Sequence, residues 1–424
     1  MPEIKGFQGW RYDSRKIGGL RSVVAPPYDV ISKKEQGSFY KKSPYNVIRL
    51  ILGKKQNGDS AARNQYTRAR KYFDDWKLRG VVSQDPVDSI YVYVQDYKEE
   101  GLHRRRVGFV AAMKLDEGLV LRHEKTLAAP KKDRMALLKE VQTNLSPIFG
   151  LFEDRRGVLQ KALKKSMRSV PCADLSVDGV RHRLFLQADR ESLEEICRAF
   201  HSKPVFIADG HHRFEVASQF KKWMNKKYPS KKGAEWHYVM AYFSDYSHNP
   251  FKIFPTHRLI RLPKKIKTSL ELLMRKGQLK KVSSLSKILS ALSKSRQEST
   301  DKGYSFGIFT KKEGYFILRL DRKFFSKLTK KPVGRLDVSV LHRTLIEPCF
   351  GIRSIEKSDA IDFTHSAKAA CEEVRRGNFE LALFLRPTSL KEMIEVSKKG
   401  LKMPQKSTYF YPKLLSGLVF HQLD

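Results

Sequence analysis

The chain has 424 residues, of which 41% are hydrophobic and 11% aromatic, and its 83 Lys and Arg against 45 Asp and Glu give a net charge of +38. This length and apolar content exclude a disordered chain and predict two or three domains with full cores. The sequence shows no apolar leader and no run near the roughly 18 apolar residues of a membrane span. We therefore expect a cytoplasmic protein without a membrane partner.

The positive charge raises nucleic acid as a partner. The excess is scattered in short clusters, such as Lys33-Lys34, residues 104–106 and Lys330-Lys331, rather than gathered in one basic tail or helix. A lysine-rich composition explains such scatter as well as a binding face does, so we do not favour nucleic acid, although polyanions should be attracted at low salt. The sequence leaves the oligomeric state open.

Common cofactor and nucleophile motifs are missing from the sequence. It contains no Walker loop, no Rossmann glycine fingerprint and no Gly-x-Ser-x-Gly elbow. The cysteines form no Cys-x-x-Cys pair and lack metal-type spacing, which indicates reduced, structural thiols. They are Cys172, Cys197, Cys349 and Cys371.

A stiff loop lies near the start of the N-terminal region. Residues 25–32 read Ala-Pro-Pro-Tyr-Asp-Val-Ile-Ser, and the two prolines fix φ. A pre-organised loop is suited to positioning a ligand, so Tyr28, Asp29 and Ser32 are candidate substrate-binding residues. Purely structural connections have the same composition. A helix is predicted over residues 60–79, where apolar side chains line one face.

A second polar cluster follows a predicted strand. The pattern predicts antiparallel strands over residues 90–97 and 107–115, and a further strand over 118–121. The polar residues after it are Arg122, His123, Glu124 and Thr126. Because strand ends bring side chains together on a ligand, we expect substrate binding here, with Glu124 as general base and His123 as a second acid–base group. The alternative is a surface salt-bridge cluster. A helix is predicted over residues 131–143.

The central region carries the most informative segment. A helix, a strand pair near residues 180–187 and a helix over 191–200 are predicted to lead to an apolar strand over 205–208. Asp209 and Gly210 follow this strand. A helix then begins with three basic residues, which are His211, His212 and Arg213.

This strand, turn and helix have the composition of a phosphate site. Gly210 permits a positive φ, and the first free N–H groups of the helix favour an anion. We expect phosphate to bind at Gly210, His211, His212 and Arg213, while Asp209 holds Mg²⁺ or orients a hydroxyl group. The alternative is that Asp209 only caps the helix and the histidines lie on the surface. A metal shared by His211 and His212 is disfavoured, because adjacent residues seldom present both rings to one ion.

A further strand is predicted over residues 237–243. His257 and Arg258, in the sequence Phe-Pro-Thr-His-Arg, are further phosphate- or substrate-binding candidates. Residues 262–302 are poor in aromatics and predict a helical insertion. The remaining predicted elements are a hairpin over 304–309 and 315–320, helices over 336–346 and 366–377, and a strand over 380–385.

The segment 403–413 reads Met-Pro-Gln-Lys-Ser-Thr-Tyr-Phe-Tyr-Pro-Lys. Lys406 and Lys413 could meet phosphate as point charges, while Ser407 and Thr408 donate hydrogen bonds. The alternative is an edge strand that packs its aromatic residues, since strands favour such alternation.

Five of these motifs, in this order along nearly the whole chain, resemble the bacterial and archaeal family called domain of unknown function 1015. They are residues 25–32, 122–126, 207–213, 254–258 and 403–413. The Asp-Gly-His-His-Arg turn is also similar to the phosphate-binding turn of the ParB/sulfiredoxin superfamily, particularly the Asp-Gly-His-Thr-Arg turn of free-serine kinases. His212 stands in place of that threonine. This similarity implies a phosphate or a nucleotide, ATP or ADP, at the helix start, and the family is reported beside serine-biosynthesis genes.

We therefore predict an α/β or α+β fold of mixed sheets and helices. Its expected parts are an N-terminal α/β region (1–150), a ParB/sulfiredoxin-like segment (151–260) and a C-terminal α/β region (261–424). The predicted function is phosphoryl transfer involving a small hydroxylated metabolite such as serine or phosphoserine, with Mg²⁺ and ATP or ADP. We expect the five motifs to line one pocket. The alternatives are a phosphatase on the same substrates, a ParB-like nucleic-acid-binding regulator and a non-catalytic accessory protein.

Overall fold

The computed structural model describes residues 3–116, 118, 120–201, 203–231, 233–249, 251–262, 269–294, 303–353 and 358–424. The chain forms two compact units. The first unit combines Met1–Leu121, Thr126–Phe251 and Pro412–Asp424, and the second combines Arg122–Lys125 with Lys252–Tyr411.

The strands of the described residues are β1 (Ile4–Lys5), β2 (Trp10–Tyr12), β3 (Val82–Gln84), β4 (Ile90–Glu99), β5 (Leu102–Lys114), β6 (Val120–Leu121), β7 (Thr143–Asn144), β8 (Ile148–Phe152), β9 (Ala173–Val177), β10 (Val180–Gln187), β11 (Val205–Asp209), β12 (Tyr238–Asp245), β13 (Lys252–Phe254), β14 (His257–Ile260), β15 (Gly277–Val282), β16 (Ser305–Thr310), β17 (Gly314–Leu320), β18 (Ile361–Thr364), β19 (Leu381–Phe384), β20 (Tyr409–Tyr411) and β21 (His421–Gln422).

The α-helices of the described residues are α1 (Leu20–Val23), α2 (Lys33–Lys42), α3 (Ile48–Ile51), α4 (Gln65–Leu78), α5 (Ala128–Val141), α6 (Val158–Ser166), α7 (Arg190–Phe200), α8 (His211–Lys227), α9 (Ser269–Met274), α10 (Leu285–Lys294), α11 (Asp337–Leu341), α12 (Glu347–Phe350), α13 (Ala367–Arg375) and α14 (Leu390–Lys398). A wider π-helical turn, His342–Ile346, joins α11 to α12.

A nine-stranded mixed sheet forms the centre of the first unit. Its strand order is β6-β11-β8-β12-β5-β4-β10-β9, and β1 also pairs with β5. The pairs β11–β6 and β12–β8 are parallel, and the other pairs are antiparallel. Every residue of β12 is buried, which is the pattern of a strand covered on both faces. Apolar residues of α6, α7 and α8 pack in one core with the sheet.

A second core of the first unit involves the N-terminal helices. Phe73 and Trp76 of α4 pack there with Leu137 of α5 and with Phe420 from the C-terminal segment. The helix predicted over 60–79 begins at Gln65, because the Asn64 side chain accepts the first backbone N–H groups.

An antiparallel six-stranded sheet, ordered β15-β17-β16-β19-β14-β18, forms the second unit. Apolar side chains of α10 and α13 pack with those of β14, β16 and β19 in its core. In the same unit, β13 and β20 form a separate antiparallel pair. The 403–413 motif therefore contains a strand, β20, as the alternative reading of its aromatic residues predicted.

The structure confirms the predicted class of mixed sheets and helices. The two predicted hairpins are also confirmed as β4–β5 and β16–β17. The prediction of a helical insertion over 262–302 is wrong in part, because Gly277–Val282 forms the edge strand β15; residues 263–268 and 295–302 lie outside the described residues. The exposed lysines of β15 obscure the alternation of apolar and polar residues by which a strand is predicted from sequence. Among the described residues, no helix is both long and apolar enough to cross a membrane.

Candidate functional site

The turn after β11 begins the site in the first unit. β11 is irregular between Ile207 and Asp209, and Gly210 then adopts a φ of 92° as the residue before α8. A Cβ added at Gly210 would lie 3.0 Å from the guanidinium of Arg213, which folds back over the glycine. The left-handed φ and this close approach both favour glycine here. The N-cap of α8 is thus Gly210 rather than Asp209.

Asp209 lies between two cations. Lys413 Nζ donates to Oδ1 and Arg213 Nη2 donates to Oδ2, each at 2.5 Å, and Arg213 also donates to the carbonyl of Pro147. The three charged side chains are only 13–16% exposed. Burial alone would raise the pKa of the Asp209 carboxyl, but Lys413, Arg213 and the buried His211 hold it well below its ordinary value. We call Asp209, Arg213 and Lys413 the Asp209 cluster.

The backbone before and at Lys413 is held by buried side chains of the central strands. Gln95 Nε2 donates to the Lys413 carbonyl at 2.9 Å, and Arg106 Nη2 donates to the Pro412 carbonyl at 2.5 Å. Arg106 Nε also donates to Gln95 Oε1 at 3.0 Å, and its guanidinium lies 4.9 Å from the ring centre of Phe149. Gln95 and Arg106 therefore fix the segment that carries the Lys413 amino group.

Sequence reasoning missed both of these residues. In the sequence Arg106 is only one member of a short basic cluster, residues 104–106, yet it is fully buried. A signal was present in Gln95, a polar residue within the otherwise apolar start of β4, because a buried amide needs a partner.

His212 and Thr126 join the start of α5 to α8. The backbone N–H of Leu127 donates to His212 Nε2 at 2.8 Å, which requires the Nδ1-protonated, neutral ring. Thr126 Oγ1 and Lys131 Nζ donate to Glu215 Oε2 at 2.6 and 3.0 Å. These bonds give His212 and Thr126 structural roles beside the turn.

The Tyr28 ring also belongs to the first unit. The Arg134 guanidinium lies 4.1 Å from the ring centre. Burial, and then the charge of Asp29, raise the pKa of Tyr28 to about 12, so its hydroxyl stays protonated. The charges of Arg213 and Asp209 also act on this hydroxyl. Tyr28 thus lies within electrostatic reach of the Asp209 cluster, while Asp29 is exposed.

Ser32 has a structural role in the same loop. Its hydroxyl accepts from the Glu35 backbone N–H, and the Glu35 carboxylate accepts from both the backbone N–H and the hydroxyl of Ser32. This capping box begins α2 and accounts for Ser32 without a ligand.

A second group of motif residues lies within the second unit. Glu124 forms a parallel bridge with Met403, and Glu124 Oε1 accepts from the Lys406 backbone N–H at 3.4 Å. Lys406 itself is exposed and has a φ of 54°, a left-handed conformation that is uncommon outside glycine. Such backbone strain is concentrated at ligand sites.

His123 lies beside Glu124 in this group. His123 Nε2 is 3.3 Å from Thr408 Oγ1, and the ring is fully buried. Lys402 Nζ donates to the Arg122 carbonyl at 2.7 Å, and Ser407 donates to the Pro404 carbonyl. We call His123, Glu124, Lys406 and Thr408 the Glu124 cluster.

His257 is a core residue of the second unit. It is 1% exposed, and its ring centre lies 5.1 Å from that of Phe384. Burial, with the charges of Arg258 and His365, lowers the pKa of His257 to about 3, so the ring is neutral. A neutral, enclosed ring offers no charge to a phosphate.

Arg258 is buried next to it. Its guanidinium donates to the carbonyls of Thr256 and Lys406, and Nε lies 3.3 Å from His342 Nε2. Burial lowers the pKa of Arg258 to about 9. The Lys406 contact shows that Arg258 supports the backbone of the Glu124 cluster.

Comparison with known proteins identifies a family. The model of the family described as "Protein of unknown function (DUF1015)" matches residues 4–339. No curated protein matches the chain.

Several solved structures are loosely similar. A variant of a free serine kinase in complex with AMP is 12% identical, with a TM-score of 0.36 over 71% of this chain and 87% of that chain. A conserved hypothetical protein from Pyrococcus furiosus is 11% identical, with a TM-score of 0.36 over 72% and 92%. A truncated SbnI from Staphylococcus aureus is 10% identical, with a TM-score of 0.36 over 72% and 85%.

Proposed function

The chain belongs to the DUF1015 family, and we propose that it binds a phosphate group at the Asp209 cluster and acts in phosphoryl transfer with a small hydroxylated metabolite. The observation that carries the proposal is the position of Arg213 and Lys413 on one carboxylate at the start of α8. Two cationic side chains thus lie on a single carboxylate beside the helix start. The free N–H groups of a helix start add to the attraction for an anion.

The donors at this site are suited to a phosphoryl group. Arg213 uses two of its five N–H donors on Asp209 and Pro147, and its planar guanidinium can bind two phosphate oxygens at once. Phosphoryl transfer needs little covalent chemistry from the protein and depends on positioned cations and N–H donors. Asp209 holds both cations in place before the ligand arrives.

Magnesium does not fit Asp209 in this arrangement. Carboxylate oxygens are good Mg²⁺ ligands, but each oxygen of Asp209 already lies 2.5 Å from a cationic nitrogen. A divalent ion would meet two positive charges there. We therefore assign Asp209 to the positioning of Arg213 and Lys413, in place of the metal role expected from the sequence.

The substrate assignment comes from the sequence resemblance. Serine or phosphoserine is the metabolite we propose, with ATP or ADP as the nucleotide partner. Glu124 remains the proposed general base, since a carboxylate can take the proton of an attacking hydroxyl group.

The test measures binding and turnover in the full-length protein. Calorimetry with phosphate, pyrophosphate and phosphoserine should show binding that Arg213→Ala weakens by about 1.5 to 3 kcal/mol, with partial recovery in Arg213→Lys. The control is Arg181→Ala, which breaks a comparable but exposed pair with Asp174. Unchanged affinities in folded Arg213→Ala would refute the phosphate site.

Phosphorus NMR then identifies the reaction. Transfer requires phosphoserine to form only when serine and a nucleotide are both present, or the reverse reaction to depend on a nucleotide acceptor. Release of inorganic phosphate from phosphoserine without nucleotide would instead identify a phosphatase that uses the same anion site.

A further inference from the structure

A cleft in the first unit lies outside the Asp209 cluster. Its volume is about 540 Å³, within the range of roughly 300–1,000 Å³ typical of small-molecule sites. Ile31, Leu52 and Leu137 contribute aliphatic surface, and Leu52 and Ile31 are only half buried. Lys33, Lys54 and Lys55 lie in the same lining. The cleft thus combines apolar walls with a cluster of cations.

Asp133, an acidic residue of this lining, pairs with other groups rather than with the three lysines. Asp133 accepts from Arg134 Nε at 2.8 Å and from the Tyr66 hydroxyl at 2.7 Å. Among the described residues, none of the three lysines lies within ion-pair distance of a carboxylate. The Lys54 amino group lies 4.6 Å from the Tyr40 ring centre instead. The cleft therefore offers uncompensated positive charge beside an aliphatic surface.

We propose that this cleft binds a nucleoside phosphate, with the base against the aliphatic walls and the phosphate at the lysines. A flat nucleobase can cover the aliphatic walls of the cleft and remove them from water. A sugar phosphate without a base would leave these walls exposed to water. Lysine amino groups bind phosphate as point charges. Arg134 lines the cleft and also covers Tyr28. The further assignment of the cleft as the site of the nucleotide that supplies the phosphoryl group depends on the phosphoryl-transfer function proposed above.

The test titrates AMP into the full-length protein by calorimetry. Lys33→Glu/Lys55→Glu should weaken AMP binding by about tenfold or more, since loss of one charged phosphate contact corresponds to about that factor. The control, Lys161→Glu/Lys164→Glu, makes the same charge change at exposed positions of α6 and should keep the wild-type affinity. This control matters because a net charge of +38 attracts anions non-specifically.

A second measurement tests recognition of the base. AMP should bind at least about tenfold more tightly than ribose 5-phosphate, because only AMP covers the aliphatic walls. The single variant Lys55→Glu, at an exposed position, serves if the double variant fails to fold. AMP binding that is equal in wild type and cleft variants, or matched by ribose 5-phosphate, overturns the proposal.

The two proposals fail separately. Loss of AMP binding in the cleft variants, with inorganic phosphate binding still dependent on Arg213, supports both. If phosphate binding depends on Arg213 but AMP binding is indifferent to the cleft lysines, the cleft proposal falls and the Asp209 site stands. If AMP depends on the cleft but phosphate ignores Arg213, the phosphate site falls and the cleft remains a nucleotide site.

Discussion

Lys413 donates to Asp209 Oδ1 at 2.5 Å although 204 positions separate the two residues in the chain. The C-terminal segment thereby completes the turn at the start of α8. Gln95 and Arg106, in the β4–β5 hairpin, hold the backbone of that segment. The position of the Lys413 charge therefore depends on this hairpin, on the turn at Asp209 and on the C-terminal segment itself.

Lys413→Met should weaken phosphate binding and lower stability at neutral pH. Removing one partner of a charged hydrogen bond costs about 1.5 to 3 kcal/mol. The folded pKa of Asp209 is depressed, so the pair stabilises the protein above the ordinary Asp pKa of about 3.9, and this contribution disappears as pH falls through the lower folded value.

Urea unfolding followed by tryptophan fluorescence measures this effect, because the tryptophans all lie in the first unit. They are Trp10, Trp76, Trp223 and Trp236. The difference between wild type and Lys413→Met should be largest near neutral pH and shrink in acid, and the control Lys98→Met, at an exposed position of β4, should show none. A difference that grows in acid would contradict the ion-pair account.

Gly210→Ala should destabilise the first unit by about 1 to 3 kcal/mol and weaken phosphate binding. The φ of 92° strains any other residue, and the new methyl group would press on the Arg213 guanidinium. Gly400→Ala is the matched control: Gly400 also has a positive φ, of 64°, but an added Cβ there meets open space. Equal losses of phosphate affinity in both variants would remove the special role of Gly210.

Glu124→Gln should preserve substrate affinity and lower single-turnover rates about 10² to 10⁴ fold, because the amide keeps an oxygen for the Lys406 N–H but cannot take a proton. Rapid-quench measurement with serine and nucleotide gives the rate of the chemical step. Glu313→Gln, in the turn of the β16–β17 hairpin, provides a control for the same substitution elsewhere in the second unit. A wild-type rate in Glu124→Gln would move the base role to His123 or Asp29.

His257→Leu should reduce the acid sensitivity of the second unit. The pKa of His257 is lowered to about 3, so the folded state disfavours its protonation, and stability is lost as pH falls from about 6.5 toward 3. The loss attributable to this ring is at most about 5 kcal/mol once the pH has fallen to 3. His342, whose pKa is also lowered to about 3, keeps its own contribution in the variant.

Circular dichroism in urea at pH 7.5 and pH 4.5 compares wild type with His257→Leu and with the exposed His103→Leu. We expect a smaller pH difference only in His257→Leu. An unchanged pH difference would mean that His257 takes up a proton as readily in the folded as in the unfolded protein, which contradicts its lowered pKa.

The sequence by itself determined the local structure around the candidate site. The apolar run before Asp209, the glycine and the basic helix start specify a strand, a left-handed turn and a helix, because each depends on neighbouring residues only. The capping boxes of α2 and α4 are local in the same sense, as both are formed within three residues. The edge strand β15 escaped prediction because its exposed lysines leave almost no apolar face.

Only the tertiary structure decided what these residues contact. One of the two cationic partners of Asp209, Lys413, lies 204 positions away near the end of the chain, and the buried state of Arg106 depends on strand neighbours that the sequence does not specify. Likewise His212 accepts the Leu127 N–H and His257 is enclosed in a core, although both were expected to meet phosphate. The charge, tautomer and accessibility of a side chain are set by burial and by partners distant in sequence, and no local pattern encodes them.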